Sequence, residues 1–132
     1  MPASSDRSAS EKSLYQRLGG YDVIAAVVDD LFAEMRADPQ LARFSAGRGL
    51  DSRNRSRQLT VDQLCALAGG PCIYIGRDMK TAHAGLAITG KEWDTTIRYL
   101  EEALDRYKVQ RREKEEFVAL FERYRGDIVE VT

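Results

Sequence analysis

The chain has one histidine, two cysteines, three prolines and one tryptophan in 132 residues. Each scarcity excludes something. Cys65 and Cys72 stand seven apart, which matches no zinc spacing, and no histidine lies near to complete one. They read as reduced, packed thiols. Neither sign of charge is in excess: 20 basic against 21 acidic side chains leave a net charge of −1, without the electrostatic footprint of a nucleic-acid or membrane-surface binder. No run approaches the ~20 apolar residues of a bilayer crossing, and the opening MPASSDRSASEK lacks the apolar stretch of a signal peptide. A soluble cytoplasmic protein is expected.

What is there suits one folded domain. Hydrophobic residues make up 43% and charged residues 31%, which argues against disorder, and the length leaves no room for a second core. Residues 1–12 read as a flexible tail and 13–132 as the domain. Ser8 with Glu11 has the form of a capping box opening a helix over Leu14, Tyr15 and Leu18, which Gly19-Gly20 stops. Ile24, Val27, Val28, Leu31, Phe32 and Met35 form one stripe of a 3.6-residue helix, ended by Asp38-Pro39. Leu41 and Phe44 suggest a further short turn, and Ser45 to Leu50 a loop.

A third helix is expected from about Ser52 to Ala68, ended by Gly69-Gly70-Pro71, then a loop over Cys72 to Gly76 and two helical turns from Asp78 to about Gly85. A weak strand pattern is visible only at Cys72 to Ile75. Thr89 and Glu92 form a second capping box, and Trp93, Ile97, Leu100, Leu104 and Tyr107 follow at helical steps. Trp93 reads as core. After Val109 a last helix carries Phe117, Leu120, Phe121, Tyr124 and Ile128 on one face, with the charges from Arg111 to Glu116 toward solvent. The sum is all-α: four substantial helices and two short ones.

A lone histidine is by itself more often packed or exposed than a ligand. His83 differs because Met79 lies four residues before it, so thioether and imidazole share one face of a short helix. Imidazole is a standard proximal ligand to haem iron, and a short helix can present its ring to the macrocycle. Arg77 and Lys80 are placed to reach haem propionates. Arg53, Arg55 and Arg57 read as a solvated face or as further propionate partners.

GRDMKTAHAGL, with LYQRLGGYDVIAAVVDDLF before it and GGPCIY between, resembles the group I truncated haemoglobins from about Ser13 to Val129. The resemblance implies a two-over-two helical sandwich, haem b held non-covalently, His83 as the metal ligand, and Met79 with Tyr74 near the proximal side.

The distal side departs from that pattern. The family's Phe-Tyr pair reads Leu31-Phe32, so the tyrosine hydroxyl that donates to a bound gas is missing. Phe44-Ser45 stands for a Phe-Phe pair, so Phe44 remains while a second aromatic wall is lost. Counting back without gaps from Gly69-Gly70 turns Ser56, Thr60 and Leu64 toward the pocket, and a one-residue slip would bring Gln63 or Leu59. Thr60 is the first candidate donor and Ser56 the second. With one histidine, a second imidazole cannot bind the iron.

The expected function is reversible binding of a diatomic gas: oxygen, carbon monoxide or nitric oxide. The alternatives are nitric oxide dioxygenation or peroxidase-type chemistry, with a reductase as a partner, and a helical module that has lost its haem.

Overall fold

The computed structural model describes residues 12–131. Helix α1 (Leu14–Leu18) begins at Ser13, whose hydroxyl accepts from the Gln16 amide while the Gln16 side chain accepts from the Ser13 amide. This reciprocal cap satisfies two of the free amides of a helix start. The cap expected at Ser8 and Glu11 lies outside the described residues.

Helix α2 (Tyr21–Ala37) buries Ile24, Val27, Val28 and Leu31, and it ends at Asp38, ahead of Pro39. The Tyr99 hydroxyl donates to the Asp38 carboxylate at 2.5 Å, tying this end to the far side of the core. A 3-10 turn follows at Ala42–Phe44. Helix α3 (Leu50–Leu67) starts two residues earlier than expected, capped by backbone at Gly49.

Helix α4 (Met79–His83) is a single short element. The Thr89–Glu92 capping box forms as expected and opens α5 (Gly90–Arg106). The last expected helix is in fact two, α6 (Arg111–Glu122) and α7 (Arg125–Ile128). The break between them lets Tyr124, Ile128 and Val129 turn onto Ile88 and Trp93. Residues Cys72 to Ile75 are loop, and the isolated β-bridge Thr89–Val131 is the only extended pairing among the described residues.

Helix α2 packs against both α3 and α5, and α5 against α6. The result is one helix pair stacked on another. Their main core joins Leu18, Ile24, Val28, Leu31, Val61, Leu64, Leu100, Leu104 and Phe117. A second, smaller cluster joins Ile88, Trp93 and Ile128, with Phe44 and Met79 packed against it. Trp93 is core, as read, and its indole N–H donates to Glu122 at 2.9 Å.

Two further expectations are corrected. Cys65 and Cys72 are not free thiols: they form a disulfide. The turn at Gly69-Gly70-Pro71 brings their Cα atoms to 5.7 Å, within bridging range, which spacing in the sequence could not reveal. Gly70 lies so close to the Tyr15 ring and to Cys65 Sγ that a side chain there would collide with both. Glu113 is not solvent-facing: it is buried and accepts from Arg17 at 2.6 Å, with Glu116 completing the pair at 2.8 Å. Burying a carboxylate is tolerated when it is paired in this way.

Candidate functional site

The Asp78 side chain caps α4 by accepting from the Thr81 amide at 3.2 Å. Hydrogen bonds from the Thr81 hydroxyl and amide hold the Asp78 carboxyl below the usual carboxylate range. One turn later the Met79 carbonyl lies 2.9 Å from His83 Nδ1. A carbonyl can only accept, so Nδ1 is the donor, and in the neutral ring the lone pair then lies on Nε2. The half-buried imidazole is thereby held in the tautomer that binds a metal through Nε2.

The other sequence candidates divide between the two apolar clusters. Phe32 packs on the main core, in which Leu64 is buried, whereas Phe44 and Met79 pack on the smaller cluster. Ile97 and Phe121 touch both clusters and form the join. Gln63 and Leu59 are half-buried.

Ser56 and Thr60 meet on α3, where the Thr60 hydroxyl donates to the Ser56 carbonyl at 2.9 Å. The Ser56 hydroxyl accepts from the Arg48 guanidinium, which also donates to the Ser52 hydroxyl at 2.8 Å and the Ser52 carbonyl at 3.0 Å. Tyr74 turns into its own loop: its ring lies against Gly76 and its hydroxyl donates to the Arg77 carbonyl. Burial pushes the Tyr74 hydroxyl above its ordinary pKa. Arg77 and Lys80 are exposed.

The donor set fits a metal held in a macrocycle. Among the described residues no group of three or more His, Cys, Asp or Glu could hold a bare metal ion, whereas a single imidazole suits an iron whose other ligands come from a porphyrin. Arg53 provides a second point of fit. Its Nε is buried without a partner, and it falls 3, 7 and 11 residues before Ser56, Thr60 and Leu64, on the same stripe of α3. An orphaned buried guanidinium N–H calls for an anion such as a propionate.

The bacterial-like globin family model matches residues 13–130, nearly the whole described chain. This chain belongs to that family, among the group 1 truncated haemoglobins.

The truncated haemoglobin GlbN of Mycolicibacterium paratuberculosis is 34% identical over 98 residues, covering 74% of this chain and 70% of that protein. GlbN of Nostoc sp. (strain MUN 8820) is also 34% identical, over 70% of this chain and 75% of its own length. The structure of truncated haemoglobin from Tetrahymena pyriformis in the Fe(III) form superposes with a TM-score of 0.81 at 26% identity, covering 89% of this chain and 98% of that one. These structural neighbours share the two-over-two helical fold, and a globin of this family is a haem protein.

One contact of this truncated haemoglobin escaped the sequence, and one residue was named there only as part of a run. Arg48 on Ser56 could not be read, because Arg48 lies in a loop outside any periodic pattern. Arg53 could have been singled out from its charged neighbours, since it alone of the three arginines lies 3, 7 and 11 residues before the pocket-side positions. Arg57 pairs with Asp29 instead, at 2.8 Å.

Proposed function

We propose that this truncated haemoglobin holds haem b through Nε2 of His83 and reversibly binds a diatomic gas, with a distal side that grips the gas weakly. The observation that carries the reading is the bond between His83 Nδ1 and the Met79 carbonyl, which leaves Nε2 as the ring's lone-pair donor. Haem supplies a coordination position for the gas.

The rest falls to side chains. Phe44 and Met79 offer apolar surface on the smaller cluster, and Phe32 and Leu64 on the main core. Arg53, with Arg77 and Lys80 at the exposed edge, would hold the propionates through charge-assisted hydrogen bonds. Phe32 has no hydroxyl to donate, and the Thr60 proton is already given to the Ser56 carbonyl. The Ser56 hydroxyl, which accepts from Arg48, is the remaining donor on that face.

The test is an absorption spectrum of the purified protein, with and without dithionite and then under carbon monoxide. A Soret band that moves on reduction and again under the gas is expected. A protein without a Soret band after addition of hemin would remove the reading.

A further inference from the structure

The backbone that follows His83 has no regular structure of its own. Gly85 and Ala87 both adopt positive φ, +83° and +53°, and the second is a conformation that side-chain-bearing residues rarely take. Such a segment persists only when its surroundings hold it.

The hold here comes from two charged side chains far away in sequence. The Glu130 carboxylate accepts from the Gly85 amide at 3.1 Å and the Ala87 amide at 2.8 Å. Arg43 donates to the carbonyls, of Leu86 at 2.9 Å and of Ala87 at 3.2 Å. The Leu86 amide donates to the carbonyl of His83 itself. Every amide from Gly85 to Ala87, and the carbonyls of Leu86 and Ala87, are therefore engaged.

Each jaw of this clamp is anchored in turn. Glu92 accepts from Arg43 at 2.9 Å while it caps α5, and the Arg43 guanidinium lies 4.1 Å over the Phe44 ring. The backbone of Glu130 and Val131 donates to the Ile88 carbonyl, and Gly90 donates to that of Val131. Ile88 is buried beside Met79. One continuous set of contacts so runs from the 3-10 turn and the chain's last described residues to the backbone carbonyl of His83.

We propose that Arg43 and Glu130 are positioning residues for His83, a two-sided clamp that sets the ring's approach to haem iron and slows loss of the cofactor. The inference rests on the haem reading above. The Met79 carbonyl orients the ring within the helix, but a helix of five residues cannot fix the position of its own end, because most of its backbone groups lack intrahelical partners. The strained loop behind it must do so. Gly85 and Ala87 amides also hold the Glu130 carboxyl below the usual carboxylate range, as expected of a charge that two amides solvate.

The test compares the native protein with Glu130→Gln, Glu130→Ala and Arg43→Lys. Three readouts are used: haem transfer to excess apomyoglobin, the iron–histidine stretching band of the ferrous form by resonance Raman, and amide exchange of Gly85 and Ala87 in the haem-free chain. Loss of two charge-assisted hydrogen bonds should speed haem loss by about tenfold or more in Glu130→Ala. Glutamine keeps one acceptor and should fall between alanine and native. Arg43→Lys loses the forked reach and should also release haem faster. The stretching band should shift or broaden in the same order, and both amides should exchange faster. If Glu130→Ala does not fold, Glu130→Gln and Arg43→Lys decide. Native band position and native haem loss in those two variants would overturn the proposal. A native protein that takes up no haem would instead bring down the haem reading, and the clamp's role with it.

Discussion

The hydroxyl of Thr60 donates to the carbonyl of Ser56, 2.9 Å away within the same helix. A threonine hydroxyl has one proton, and this one is spent on backbone. The better-placed donor by sequence is thus the less available one.

Phe32→Tyr should therefore change gas release more than any edit at Thr60. Adding one hydrogen bond, worth about 0.5–1.5 kcal/mol, should slow oxygen dissociation by several-fold to tenfold, measured by stopped flow. Thr60→Val should leave the rate within about twofold, since the native hydroxyl contributes little beyond its own helix. An unchanged rate in Phe32→Tyr would show that Phe32 does not face the gas.

Arg53→Met should act with opposite sign on the two forms of the protein. A buried N–H without a partner costs about 1–3 kcal/mol, so the haem-free chain should gain stability in urea. The loaded protein should lose haem faster, because a propionate partner is gone. Equal effects on both forms would mean that Arg53 has no part in holding haem.

Reducing the Cys65–Cys72 bridge should cost about 2–3 kcal/mol by the chain-entropy argument for so short a loop. Urea unfolding with and without reductant checks this. Cys72→Ala should match the reduced protein and no longer respond to reductant.

Asp38 gives the acid response a sign. The Tyr99 hydroxyl, then the Gln40 amide, hold its carboxyl below the ordinary value. A carboxyl lowered in the folded state adds stability above its unfolded pKa, near 3.9, and that stability is lost as pH falls through the folded value. The advantage of the native protein over Tyr99→Phe, measured by chemical unfolding, should be present at pH 7 and shrink below about pH 4.

The helices were legible where one pattern decides them. The stripe from Ile24 to Met35, the break at Asp38-Pro39 and the Thr89–Glu92 cap are local, and the structure reproduces each. His83 with Met79 was legible for the same reason, being one turn of helix. What could not be read depends on pieces far apart in the chain. Cys65 meets Cys72 only because a glycine turn folds back, and Glu113 is buried only because Arg17 arrives from α1. Arg43 and Glu130 reach the loop behind His83 across more than forty residues, and no period marks them. The bond from the Tyr74 hydroxyl to the Arg77 carbonyl, within its own loop, is likewise marked by no period. The split between α6 and α7 was missed because the apolar spacing runs through it unbroken.

The most direct measurement is the spectrum of His83→Gly loaded with hemin, recorded without and then with free imidazole. The account predicts a weak or displaced Soret band and rapid haem loss in the variant, with imidazole restoring the native bands. A variant that takes up haem and keeps the native ferrous spectrum without imidazole would contradict it.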